Sequence, residues 1–128
     1  MKKNVLYVED NPINMTLVRR VLQSRGHFLF EAVNGVDGLS IAKTQDVDVI
    51  LLDINLPDID GYEVARRIRS SENAKLSTIP IIAVTANALK GDAEKAIEAG
   101  CDLYISKPIN IKELVEKVEK FALAMDAL

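Results

Sequence analysis

The chain has 128 residues, 48% of them apolar and 27% charged, with a formal net charge of −3 and one cysteine. That suffices for a single domain over 1–128 with an ordinary core, and it lacks the clustered basic face that nonspecific nucleic-acid binding needs. Cys101 alone excludes an internal disulfide or a cysteine metal cage, and no apolar stretch reaches the roughly 20 residues that span a bilayer.

Met1-Lys2-Lys3-Asn4 leads into Val5-Leu6-Tyr7-Val8 and then Glu9-Asp10, which is a short strand closing on two carboxylates and not a signal peptide. Asn11-Pro12 follows as N-cap and first helical residue. Ile13, Leu17, Val18, Val21 and Leu22 then mark the predicted inner face of a helix that Gly26 closes. Phe28–Ala32 is a second, less apolar strand, expected near an edge, and Asn34-Gly35 opens a short helix containing Gly38.

Asp48-Val49-Ile50-Leu51-Leu52-Asp53 reads as a strand buried on both faces, as at the centre of a parallel sheet, and it stops at a carboxylate. A loop rich in Asp, Pro and Gly leads to a helix from Tyr62 to Ser70 with Val64, Ala65 and Ile68 inward. Ser71–Thr78 is a long polar connection. Pro80–Val84 is a fourth strand ending at Thr85. The fourth helix, Ala88–Ala99, offers few large apolar side chains and is expected to be the least firmly held. Leu103-Tyr104-Ile105 is a fifth strand ending at Ser106-Lys107-Pro108. Asn110 with Glu113 resembles a capping box at the start of a last helix, with Ile111, Leu114, Val115, Val118, Phe121 and Ala122 on its apolar face. Five βα units imply a parallel sheet covered on both faces.

In such an alternation every strand points the same way, so the residues just past the strands share one rim. That rim carries Glu9 and Asp10, then Asp53, Thr85 and Lys107. Three crowded carboxylates resist ionising together unless a cation sits among them, and a hard divalent ion such as Mg²⁺ answers that need. Mg²⁺ among carboxylates, with a lysine and a hydroxyl nearby, suits phosphoryl transfer, in which a carboxylate can be the covalent acceptor.

At these residues the chain resembles the receiver domain of two-component response regulators. The match runs through Val5–Asn11, Leu51–Pro57, Asp60–Glu63, Ile81–Ala86 and Ile105–Pro108. Each stretch alone is weakly specific; five in this order and spacing are specific. The resemblance implies a (βα)5 flavodoxin-like, doubly wound sheet of order 2-1-3-4-5, which puts Asp10 and Asp53 at the topological switch point. It implies Asp53 as phosphoacceptor, taking its group from a sensor histidine kinase or a histidine phosphotransfer protein. It further implies Asp10, Asp53 and the Asn55 backbone carbonyl as ligands of Mg²⁺ (Mn²⁺ being an alternative ion), with Glu9 acting through water.

Glu9 departs from the commoner Asp at its position, and its longer arm suits that water-mediated role. Thr85 resembles the switch hydroxyl and Tyr104 its coupled aromatic. Ala86 leaves room for the phosphoryl group, which Lys107 and Asn55 flank, and Lys107-Pro108 matches the family's cis peptide. Asn55 and Asn87 stand where the family tunes the lifetime of the acyl phosphate. The implied output is a changed affinity of the face formed by the fourth helix, fifth strand and fifth helix for a downstream protein effector. The implied protein catalyses only its own phosphorylation and dephosphorylation. Neither nucleic acid nor a membrane is an implied partner, and a cytoplasmic location follows from the free thiol.

Other residues receive simpler readings. His27, after a helix-ending glycine and not projecting from a helix, is expected at the surface; Cys101 as a small buried group; Tyr7 and Tyr62 as packing residues. Arg19-Arg20 and Arg66-Arg67-Arg69 read as solvated helix faces. Met125 and Leu128 are expected to fray or to dock on a partner. A phosphatase of the haloacid dehalogenase type would want a carboxylate where Asn55 stands. A flavodoxin-like electron carrier would want a hydroxyl- and glycine-rich loop where Glu9-Asp10-Asn11-Pro12 stands. Only Ala124–Leu128 follow the last helix, so no output domain is expected; the start favours a stand-alone regulator over a receiver excised from a hybrid kinase.

Overall fold

The structure is a computed structural model and describes residues 2–86 and 91–127. The expected Asn87, the first turn of the fourth predicted helix up to residue 90, and Leu128 lie outside the described residues. The elements run β1 (Asn4–Val8), α1 (Pro12–Ser24), β2 (Phe28–Ala32), α2 (Gly35–Thr44), β3 (Val49–Asp53) and α3 (Gly61–Arg69). They continue as α4 (Ala74–Ser77), β4 (Ile81–Thr85), α5 (Asp92–Ala99), β5 (Leu103–Ser106) and α6 (Ile111–Ala127). The polar connection after α3 thus contains one helical turn, capped by Asn73 Oδ1 on the Leu76 N–H.

All strand pairs are parallel, in the order β2-β1-β3-β4-β5. β2 is an edge strand, as its mixed composition predicts. β3 and β4 are buried throughout because their side chains meet helices on both faces. Alternate residues feed two cores. Leu6, Val8, Ile50, Leu52, Ile81 and Ala83 pack with α2, α3 and α5. Val5, Tyr7, Val49, Leu51, Ile82 and Val84 pack with α1 and α6. Each fully buried Leu or Ile of β3 is worth about 1.5–3 kcal/mol relative to exposure.

The expected caps are present. Asn11 Oδ1 accepts from the Ile13 and Asn14 N–H groups ahead of Pro12. Asn110 Oδ1 accepts from the Glu113 N–H. Gly26 and Gly100 take left-handed φ values of 86° and 111° at helix ends.

Three expectations are corrected. On α1 the inward residues are Met15, Val18 and Leu22, while Ile13, in the first turn, is 77% exposed. Ile111 is likewise exposed at the start of α6. His27 is buried, not at the surface. Its Nδ1 accepts from the Lys3 N–H at 3.3 Å and its Nε2 lies 3.0 Å from Glu119 Oε2, tying the β1 entrance to α6. Arg69 is the third correction. Arg66 and Arg67 are exposed and pair with Glu63. Arg69 instead donates to the carbonyls of Gly100, Ser77 and Ile79 and to Asp102, joining α3, α4, β4 and the end of α5.

Arg69→Leu leaves those carbonyls without their charged donor and is expected to cost about 2–3 kcal/mol, read as a lower urea midpoint at unchanged m-value. Acid behaviour follows from Glu119. Hydrogen bonding from Arg25 first, and then His27, outweighs desolvation and holds its carboxyl from the ordinary 4.5 down to about 2. Because the folded state then binds fewer protons than the unfolded one, this stabilisation is present above pH 4.5 and is lost as pH falls towards 2. Glu119→Gln is expected to lower stability at neutral pH and to flatten the acid limb of stability over that window, measured by denaturant titration at each pH.

Candidate functional site

The register of the sheet builds the site. Val8 pairs with Leu52, so Glu9 and Asp53 are each one residue beyond a matched pair on neighbouring strands. Asp53 pairs with Val84 and Thr85 with Ser106, so Thr85 and Lys107 follow on the same rim. Glu9, Asp53 and Thr85 are buried at 1%, 1% and 0% exposure, whereas Asp10 is open to solvent. Glu9, Asp10 and Asp53 each offer a carboxylate oxygen, all within 4.8 Å of one another.

Lys107 Nζ bridges the two buried acids, 3.1 Å from Asp53 Oδ2 and 3.2 Å from Glu9 Oε1. Asp53 Oδ1 accepts from the Asn55 N–H at 3.1 Å. Burial pushes the Asp53 carboxyl well above the carboxylate range, and Glu9 beside it pushes the same way; the Asn55 amide and Lys107 oppose this without cancelling it. Glu9 goes the other way. Burial opposes its ionisation, but hydrogen bonding with Asp53, the Lys107 charge, and donors from Asn14 and Tyr7 outweigh that and hold it low. Burial also disfavours the Lys107 ammonium, yet Asp53 and Glu9 keep its pKa above the ordinary value. The two acids therefore share a strained charge that a cation relieves.

The donor set fits a hard divalent ion. Three carboxylates converge, and Glu9 Oε2 is buried without a hydrogen-bond partner among the described residues. Such an atom calls for a ligand or an ordered water.

Thr85 Oγ1 donates to Asp92 Oδ2 at 3.3 Å, which links the rim to the first residue of α5. Ala86 is exposed just beyond, and Asn55 is exposed on the opposite side. The Lys107–Pro108 bond is cis. Tyr104 is 40% exposed, with Lys117 Nζ 5.5 Å from its ring centroid and donating to its carbonyl. The loop after β3 is pinned from outside, since Asp58 accepts from the Gly35 and Val36 N–H groups that start α2.

A family model described as "Response regulator receiver domain" matches residues 5–119. The chain belongs to the response regulator receiver domain family. This receiver is 40% identical over 121 residues to the polar-differentiation response regulator DivK of Brucella anthropi, covering 94% of this chain and 97% of that protein. Among solved structures it is similar to the receiver domain of the sensor histidine kinase PA1611 of Pseudomonas aeruginosa, crystallised with magnesium in its active-site cleft. That likeness has TM-score 0.86 and 39% identity over 94% of this chain and 98% of the other. It is also similar, at TM-score 0.88 and 32% identity, to a chain of the Saccharomyces cerevisiae complex between the phosphotransfer protein Ypd1 and the Ssk1 receiver domain. There the match covers 99% of this chain and 92% of the other.

Three residues of this receiver site escape the sequence reading. Tyr7, expected only to pack, donates its hydroxyl to Glu9 Oε1 at 3.0 Å; Asn14 Nδ2 donates to the same oxygen at 3.0 Å. The i, i+2 spacing of Tyr7 and Glu9 on one strand face is the signal that could have shown the first. Asp92 is a third, because its contact with Thr85 crosses a loop.

Gly61 is needed here for close approach. A Cβ there would lie 2.6 Å from the Asp53 carbonyl oxygen and 2.7 Å from Ile54 Cα. Gly61→Ala is expected to cost about 1–3 kcal/mol through forced backbone movement. Urea denaturation measures the loss, and the largest amide chemical-shift changes are expected at Asp53–Asn55.

Proposed function

We propose that Asp53 is the phosphoacceptor of this receiver and that the Glu9–Asp10–Asp53 cluster holds Mg²⁺ while the group is transferred. The observation that carries this is the convergence of two buried acids, one exposed acid and the Lys107 ammonium at the ends of β1, β3 and β5. Asp10, Asp53 and the backbone carbonyl of Asn55 would bind the ion, with Glu9 reaching it through water. When bound, the ion neutralises charge on the transferred phosphoryl oxygens.

The donor is a phosphohistidine of a sensor histidine kinase or a histidine phosphotransfer protein. A carboxylate oxygen of Asp53 forms the new P–O bond as the P–N bond breaks, and the imidazole leaves with its electron pair. Lys107 is within reach of the acceptor carboxylate and turns to the new phosphoryl oxygens. Ala86 leaves space beside them. Water attack on the acyl phosphate, which Asn55 flanks, reverses the modification, so the only chemistry catalysed is the protein's own.

The switch couples through Thr85. The phosphoryl group brings about −1.5 to −2 charge units to the rim. It competes with Asp92 for the Thr85 hydroxyl, which releases the start of α5 and lets Tyr104 move inward. α5 buries only alanines, Ala93, Ala96 and Ala99, and so is held by little apolar area. The face of α5, β5 and α6, with Ile97 and Tyr104 exposed on it, then changes its affinity for a downstream protein effector. The buried free thiol of Cys101 suits a reducing, cytoplasmic setting for this exchange.

Intact mass after incubation with acetyl phosphate and Mg²⁺ tests the assignment. A phosphoryl adduct of about 80 Da is expected for the wild type with Mg²⁺, and none is expected for Asp53→Asn or after chelation. An adduct that survives in Asp53→Asn would remove Asp53 from the role.

A further inference from the structure

We propose that Tyr7 and Asn14 are positioning residues of the acidic site, holding Glu9 by Oε1 so that Oε2 stays free for the water shell of the bound cation. The inference rests on the Mg²⁺ reading above and adds to it the means by which a glutamate serves at this position.

Glu9 has one more methylene than aspartate, so its carboxylate has one more torsion to fix. The hydrogen bonds that Tyr7 and Asn14 give it both fall on one oxygen. Oε1 accepts from Tyr7 Oη at 3.0 Å and Asn14 Nδ2 at 3.0 Å, and lies 3.2 Å from Lys107 Nζ. Oε2 is buried and has no hydrogen-bond partner among the described residues. A bare, buried carboxylate oxygen is costly in isolation. It is tolerable where a cation's water completes it, and the three donors on Oε1 keep the group from rotating to satisfy Oε2 within the protein.

The three donors differ in permanence. Lys107 is shared with Asp53 Oδ2 at 3.1 Å and is drawn away when a phosphoryl group arrives. Among the described residues no side-chain hydrogen bond joins Tyr7 or Asn14 to another member of the rim, so neither is shared as Lys107 is. Their placement follows from the chain. Tyr7 lies in β1 and Glu9, two residues on, just past its end, and Asn14 sits in the first turn of α1. The Tyr7 ring is fully buried among Met15, Val18, Leu51, Val84 and other apolar residues, where phenylalanine would fill the same space. The hydroxyl is what phenylalanine lacks. That hydroxyl donates to Glu9 Oε1.

Isothermal titration with Mg²⁺ alone, on the wild type, Tyr7→Phe, Asn14→Ala and Glu9→Ala, tests this without any phosphodonor. Removing an outer-shell partner typically weakens metal binding 10–100-fold, and about tenfold is expected for Tyr7→Phe. In the acetyl phosphate reaction the half-saturating Mg²⁺ concentration should rise by the same factor while the rate at saturating Mg²⁺ is unchanged. In a Glu9→Ala background, Tyr7→Phe should have no further effect. If Tyr7→Phe binds Mg²⁺ as tightly as the wild type, or its effect simply adds to that of Glu9→Ala, the positioning role is overturned and the phosphoacceptor reading stands. If the wild type takes up no Mg²⁺, both are overturned.

Discussion

The in-phase parallel register of β1, β3 and β4 is the constraint on which the rest of the structure depends. With Val8 opposite Leu52 and Asp53 opposite Val84, the strands end nearly level, and whatever follows them is delivered to one place. A one-residue slip would send Glu9 or Asp53 to the other face of the sheet. Such a slip is blocked because β3 and β4 are buried on both sides and their alternating residues are committed to two separate cores. Hydrophobic packing therefore sets the distance between two acids that repel each other. Lys107, from the end of β5, offsets part of that repulsion, and a bound cation would offset more.

The helices are not held equally firmly. Around β1 and β3, α1 contributes Met15, Val18 and Leu22, and α6 adds Leu114 and Val118. The buried His27 bonds the β1 entrance to α6. On the other side α5 presents three alanines to the core. Area scales with stabilisation, so displacing α5 costs far less than displacing α1. Arg69 fastens the C-terminal end of α5 through the Gly100 carbonyl, while its first residue meets the rim at Thr85. A change at the rim thus acts on the end of the helix that Arg69 does not hold.

Most of the fold was legible because its signals are local. Strand runs, the Asn11-Pro12 start, the Gly26 and Gly100 stops and the carboxylates at strand ends each need only a few consecutive residues. What was illegible depends on which helix turns are covered or on partners remote in sequence. Ile13 and Ile111 fit the helical period but are exposed in first turns, so periodicity gave the stripe and not its ends. His27 meets Glu119, 92 residues away. Arg69 shares its helix with two solvated arginines, and only the fold shows that its guanidinium turns towards Gly100 and Ile79. Tyr7 had a legible position and an illegible hydroxyl, since an apolar strand run gives no hint of what a phenol will reach.

The site is built against stability. Glu9, Asp53 and Thr85 occupy positions where the surrounding strands and helices would accept apolar side chains, and each charge taken there loses hydration that Lys107 only partly replaces. Desolvation raises the Asp53 carboxyl and Glu9 beside it raises it further, so the two buried acids resist carrying full charge together. A divalent ion held by Glu9, Asp10 and Asp53 would favour the ionised form of these carboxylates. On the proposed phosphoacceptor reading, this strain would make the reactivity of Asp53 depend on a bound cation. On the same reading, the conformational effect of phosphorylation would depend on Thr85, whose hydroxyl is engaged by Asp92. An exchange of partner at the Thr85 hydroxyl would then link a rigid sheet to a helix whose buried residues are all alanines.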